Sequence, residues 1–410
     1  MRVEPLKCLR ANPERVGEVA SPPYDVFDRA SAAAYLEVHP SSFLAVDRPD
    51  ATLCADVAPD APEVYERARE LLLERRRDFT LLSDETPCFY VYELQSAGRR
   101  QTGVIGAVAV DDYLDGTVAR HELTRADKEL DRVRHIEATG AQTGLVLLAY
   151  PDQLALDVIL GSAKQAQPLY DFTADGVRHL VWRVARPAAT EAIEAAFTCV
   201  PKAYIADGHH RAAAAARVCE RRRAERGEAG AAGSFLAALF PASQLRILAY
   251  DRAVTDLAGL APAELLGRLE RAGFSVSEAR YEPVRPQERG HFGCYLAGRW
   301  HELAWGREPG ACDADAAASL DVSVLQDEVL GPILGVQDPR RDARMRFLSE
   351  SEGPAALEAA AGDEGVAFTL FPTTMDDLMR VSDAGGTMPP KSTWFEPKLP
   401  SGLVVRRVDQ

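Results

Sequence analysis

The run Ala203-Tyr204-Ile205-Ala206-Asp207-Gly208-His209-His210-Arg211, followed at once by Ala212 to Ala216, concentrates residues suited to binding an anion. Tyr204 and Ile205 predict a buried strand, Asp207-Gly208 a tight turn, and the alanines with Arg217, Val218 and Glu220 a helix. Gly208-His209-His210-Arg211 then opens that helix, where unpaired N–H groups and the positive end of the helix dipole attract phosphate. Gly208 lets the backbone approach closely, and Arg211 adds a planar two-pronged donor. A plainer reading competes: Asp207 is an N-cap, and His209 and His210 pack beside it.

A second cluster, Arg120-His121-Glu122-Leu123-Thr124-Arg125, falls where a strand gives way to a charged helix. Glu122 is acidic in a basic setting, so it is a candidate general base toward a substrate hydroxyl, with Thr124 as a helix cap. Taken alone, a glutamate there is more often a salt-bridged surface carboxylate. His121-Glu122 is not a zinc-protease motif, since position 125 is arginine. Neither a Walker A sequence nor Gly-x-Gly-x-x-Gly occurs, so nucleotide chemistry here needs another phosphate cradle. Near the C-terminal end, Met388-Pro389-Pro390-Lys391-Ser392-Thr393-Trp394-Phe395-Glu396-Pro397-Lys398 predicts a loop rather than a regular element. It reads either as a lid, with Lys391 on phosphate and Trp394 excluding water, or as an aromatic plug over a core.

The elements that must carry these residues are mixed. Helical patterns fall at 29–37, 62–77 and 125–140, and strand-like runs at Phe89–Leu94, Val104–Val110, Thr117–His121 and Gly144–Tyr150. Beyond Tyr250 the pattern predicts a helix at 262–272, a strand at 274–280 and a hairpin turning at Ala297-Gly298. A helix at 319–330, a strand at 366–371 and a helix at 374–383 follow. The expected fold is α/β (mixed α+β), with a core over 1–250, a smaller subdomain over 251–345, and a C-terminal segment over 346–410 packed on the core.

Composition narrows the class. With 47% hydrophobic and 27% charged residues over 410 positions, the chain has the texture of a folded enzyme with two or three cores. No apolar run of membrane-spanning length and no signal-peptide core is present, which predicts a cytoplasmic protein with no membrane partner. Seven scattered cysteines without a C-x-x-C pair fit a reducing compartment. A net charge of −15 argues against a nucleic-acid partner. Lysine is scarce, six against 41 arginines, so a lysine that persists is a candidate point-charge contact for phosphate.

Ser21-Pro22-Pro23-Tyr24-Asp25-Val26, His121-Glu122-Leu123-Thr124, the Tyr204–Arg211 segment and the Met388–Lys398 segment, in that order, resemble the prokaryotic family catalogued as domain of unknown function 1015. Its Asp-Gly-His-His-Arg turn is similar to the signature of the ParB/sulfiredoxin superfamily, which includes ParB-type nucleotidases, sulfiredoxins and free-serine kinases. The resemblance implies a ParB/sulfiredoxin-like core with insertions, in which Gly208, His209, His210 and Arg211 hold nucleotide phosphates. Glu122 is the candidate base and His210 a second candidate catalytic group, with His121 and Thr124 near the substrate. Position 209 is histidine where sulfiredoxins carry cysteine, which disfavours sulfinic acid reduction. The implied activity is transfer of a phosphoryl group from ATP or ADP with Mg²⁺, for which Asp207 is a candidate ligand, to a small hydroxylated metabolite such as free serine. A nucleotide-binding switch without turnover and a phosphoserine-type phosphatase are the alternatives.

Overall fold

The structure is a computed structural model that describes residues 1–306 and 316–409. It is mixed α/β and divides into two units, Met1–Leu245 with Pro397–Gln410, and Arg246–Glu396.

The first unit is built on a nine-stranded mixed sheet. Its order runs Val118–Ala119, Ala203–Asp207, Val146–Tyr150, Ser234–Pro241, Arg99–Ala109, Phe89–Ser96, Val177–Val184 and Tyr170–Ala174, with Val3–Glu4 also on Arg99–Ala109. Val146–Tyr150 and Ser234–Pro241 are buried along their whole length, because elements cover both faces; such strands read as continuous apolar runs. Ala203–Asp207 lies parallel to Val118–Ala119 and antiparallel to Val146–Tyr150. The helix His209–Arg226 follows it, burying Ala212 to Ala216; alanines let the helix approach closely. Ala212, Ala213, Ala215 and Ala216 join Val91, Val104, Leu148, Ile205, Phe235 and Leu239 in one core, and Ala214 packs with Val133 and Ile136. A four-stranded sheet of Leu81–Ser83, Cys8–Ala11, Val404–Arg407 and Ala141–Gln142 draws the chain's last strand into this unit.

The second unit holds a six-stranded antiparallel sheet in the order Phe274–Val276, Arg299–Trp305, His291–Leu296, Val366–Leu370, Tyr250–Val254 and Met345–Ser349. The hairpin turns at Ala297 and Gly298, both at positive φ (47° and 75°), the twist that suits a two-residue connection. Residues 346–370, expected to return to the first core, instead pair here. Strand pairing across a hundred residues leaves no local sequence mark.

Other expectations shift. The strand forecast at Thr117–His121 is only Val118–Ala119. The 319–330 helix is Asp321–Leu325 continued by a π-turn, Gln326–Leu330. Trp394–Glu396, inside the forecast loop, pairs as a short strand with Arg246–Leu248. Six cysteines among the described residues are free thiols, and Cys312 lies outside those residues. No described helix is long and apolar enough to cross a membrane.

Gly103 tests the packing of the first sheet. A Cβ there would drive into the Leu239 carbonyl oxygen and the Phe240 ring. Gly103→Ala should lower stability by about 1–3 kcal/mol, the usual cost of overpacking, seen as an earlier urea midpoint. An unchanged midpoint would show that the strand yields at this position.

Candidate functional site

The turn after Ala203–Asp207 demands glycine twice over. Gly208 sits at φ 93°, ψ 30°, and a Cβ would lie 3.1 Å from Arg211 Nε and 3.4 Å from Val146 Cα. The helix starts at His209, and Ala212 N donating to Gly208 O is its first rung. The N–H groups of His209, His210 and Arg211 therefore precede the helical ladder, the position that suits an anion.

Asp207 is not the N-cap; that position is Gly208, which has no side-chain cap. Instead Arg211 Nη2 lies 2.9 Å from Asp207 Oδ2, and Lys398 Nζ lies 3.7 Å from Asp207 Oδ1. Burial pushes the Asp207 carboxyl up, but Lys398 and Arg211 outweigh it and hold it below the usual carboxylate range. Arg211 also donates to the Leu145 carbonyl. Its guanidinium is thus partly committed to the protein, more a brace of the turn than an open fork for phosphate.

Glu122 and the imidazoles meet beside this turn. His209 Nε2 accepts from the His121 backbone N–H at 3.5 Å, which leaves the ring proton on Nδ1, 3.7 Å from Glu122 Oε2. The His121 and His209 rings pack edge to face, centroids 4.4 Å apart. Burial holds both neutral: His121 is lowered to about 4, and His209 falls well below its ordinary value, with His121 adding to the effect. The Glu122 side chain is about half exposed, at 50%. A half-exposed carboxylate can accept a proton from a bound hydroxyl, and the neutral His209 ring stands beside it, beyond hydrogen-bond distance.

His210 is occupied differently. Its Nε2 accepts from Arg125 N at 3.0 Å, and burial followed by the nearby Arg125 charge lowers its pKa. Thr124 does not cap the next helix: Arg125 is the N-cap of Ala126–Thr139, and Thr124 Oγ1 donates to Glu129 Oε2 at 3.1 Å.

The Met388–Lys398 segment divides between the units. Lys391 and Trp394 belong to the second, where Lys391 Nζ lies 5.3 Å from the Tyr250 ring centroid and Trp394 packs edge-on to Tyr250 at 5.0 Å. Lys398 belongs to the first, and it is the lysine that reaches Asp207. Lys398 carries the same sequence signal as Lys391, being one of only six lysines. Asp207 does not fit as a magnesium ligand, because its oxygens already face two cations. Among the described residues no group of three or more His, Cys, Asp or Glu side chains is arranged to hold a metal ion.

A family model described as protein of unknown function (DUF1015) matches residues 3–323, and the chain belongs to that family. No curated protein matches it. Among solved structures, SbnI with a C-terminal truncation from Staphylococcus aureus aligns at 12% identity and TM-score 0.37, covering 75% of this chain and 89% of that one. A conserved hypothetical protein from Pyrococcus furiosus aligns at 13% and 0.35, covering 75% and 96%. A free serine kinase in complex with AMP aligns at 14% and 0.33, covering 72% and 86%. Likenesses this weak carry no argument about chemistry.

The buried imidazoles set a pH signature. In the first unit His121, His135 and His179 are each lowered to about 4 by burial, so the unfolded chain takes up their protons first. Their stabilising contribution is complete above about pH 6.5 and is lost as pH falls toward 4, at a cost on the order of 2 kcal/mol each by pH 5. In the second unit burial pushes Asp251 and Asp321 up to about 6, so the folded state holds their protons and gains stability as pH falls through 6. Hydrogen exchange at pH 7 and 5, corrected for intrinsic rates, should show the first unit losing protection and the second gaining it. Shifts in the same direction would refute the assignment.

Proposed function

We propose that this member of the DUF1015 family transfers a phosphoryl group from a purine nucleotide to a small hydroxylated metabolite, with free serine as the acceptor suggested by its Asp-Gly-His-His-Arg turn. The observation that carries the reading is the meeting of two predicted clusters at one turn: Glu122 Oε2 stands 3.7 Å from Nδ1 of His209, the first residue of the helix. Phosphoryl transfer asks mainly for positioning and neutralisation of charge. The N–H groups of His209, His210 and Arg211 offer the cradle, and Lys398 supplies a compact cation beside it.

Glu122 takes the acceptor's hydroxyl proton in this reading, with the neutral His209 ring beside it. The Asp207–Arg211 pair keeps the cradle in shape rather than contacting the reacting atoms. Magnesium would arrive on the nucleotide phosphates and neutralise their charge; the side chains at the turn do not form its cage. The half-exposed carboxylate favours turnover over a switch role, since a switch needs the cradle but no base.

Glu122→Gln preserves shape and removes basicity. Turnover of serine with ATP or ADP, followed by phosphoserine formation, should fall by about 10²–10⁴-fold with nucleotide affinity little changed. Gly208→Val, which forces a side chain into the turn, should abolish nucleotide binding in calorimetry while circular dichroism reports the fold. Wild-type turnover by Glu122→Gln would return Glu122 to a structural role, and ADP binding unaffected by Gly208→Val would remove the cradle.

A further inference from the structure

Arg211 also lines a pocket of the first unit. Tyr24, Asp47, Arg132, Thr143 and Gly144 share its wall, and they come from segments far apart in sequence. Tyr24 belongs to the Ser21–Val26 motif, for which the phosphoryl-transfer reading has no use. Gly144 makes room for the arginine: a Cβ there would lie 3.1 Å from Arg211 Cδ.

Asp47 is the decisive residue. It is 1% exposed; its Oδ1 accepts from Thr143 Oγ1 at 2.6 Å, and its Oδ2 has no hydrogen-bond partner. A buried carboxylate oxygen left this way carries a large desolvation cost, which a ligand's N–H or O–H donor removes. Charges of the other sign stand on the same wall. Arg132 donates Nε to Asp131 Oδ2 at 2.9 Å, with Nη2 2.7 Å from the same oxygen, and lies 4.3 Å over the Tyr24 ring. Arg211 spends two nitrogens on Asp207 and Leu145. A guanidinium has five N–H donors, so both retain capacity for an anionic group.

His135, also on the wall, adds no charge. Its Nε2 bonds the Val46 carbonyl at 2.8 Å, and burial with the neighbouring Arg132 holds it neutral. The pocket wall therefore carries two guanidiniums and one carboxylate. A purely anionic ligand would leave Asp47 Oδ2 without a donor and close to added negative charge. A purely cationic one would face two arginines. We propose that this pocket binds a small α-amino acid, with its ammonium on Asp47 Oδ2 and its carboxylate toward Arg132 and Arg211. Its service as phosphoryl acceptor rests on the reading above; its binding does not.

Calorimetry on the full chain without nucleotide tests this, using glycine, L-alanine, L-serine and L-threonine against glycerate, ethanolamine and inorganic phosphate. At least one amino acid should bind, with the analogues that lack either charge weaker by roughly 10-fold or more, the worth of one charge-assisted bond. Asp47→Asn should weaken that amino acid by a similar factor and leave the heat of ADP binding unchanged. Equal affinity for glycerate, binding of phosphate alone, no amino-acid binding by the wild type, or an unaffected Asp47→Asn would each overturn the proposal. If Asp47→Asn fails to fold, the wild-type ligand series decides alone. Amino-acid binding by a protein that ignores ADP would keep this site and sink the phosphoryl-transfer reading; ADP binding without amino-acid binding would do the reverse.

Discussion

The ion pair between Asp207 and Arg211, one helical turn apart across Gly208, is the constraint on which the rest of the first unit's chemistry depends. It ties the last residue of the strand Ala203–Asp207 to the first turn of a long helix, and the Arg211 bond to the Leu145 carbonyl ties both to the start of the adjacent strand. Partly buried pairs of this kind add little net stability, because desolvation offsets attraction. Removing one partner is nevertheless costly, since a bare charge remains. Two glycines make the arrangement possible from opposite sides: Gly208 by its left-handed backbone and Gly144 by leaving space for the Arg211 side chain. With the turn held this way, the same arginine backs the helix N-terminus and forms part of the neighbouring pocket wall.

Much of the local structure was legible. The forecast helices at 62–77 and 262–272 match Pro62–Arg77 and Pro262–Ala272, because each has an amphipathic pattern opened by a proline at a position where its missing N–H costs nothing. The strand-turn-helix at Ala203–Arg226 was readable for the same kind of reason, an apolar run, a glycine, then alanines. Pairings between distant segments were not. The strands Met345–Ser349 and Val366–Leu370 carry no mark of the sheet they join, and Val404–Arg407 none of its partners near the start of the chain.

Side-chain roles were legible only where backbone geometry dictated them. The tight turn expected at Asp207-Gly208 is present, and Gly208 holds it at positive φ. Asp207 reads from sequence as an N-cap or a magnesium ligand, whereas it pairs with Arg211 and with Lys398, nearly two hundred residues away. Lys391 and Lys398 sit in one proline-rich segment with similar credentials, yet the boundary between the units falls between them. Asp47, Arg132 and Tyr24 gave no sign of sharing a wall, because a pocket lined by separate segments has no sequence spacing to recognise.

The imbalance of arginine over lysine gains a physical meaning from these sites. Arg75, Arg132, Arg252 and Arg406 are buried, and most spend their N–H groups on backbone carbonyls: Arg406 reaches Ser234 O at 2.8 Å and Ala231 O at 2.6 Å, and Arg75 reaches Ser42 O at 2.8 Å. A planar fork can serve two acceptors in different directions while keeping its charge, which a single ammonium does less well inside a protein. Lysine is found where one compact charge suffices, as for Lys164 on Glu93 at 2.7 Å and Lys398 on Asp207. Position 211 is of the first kind. An ammonium there would have to choose between the Asp207 carboxylate and the Leu145 carbonyl, so lysine, although it conserves charge, would release either the strand or the turn.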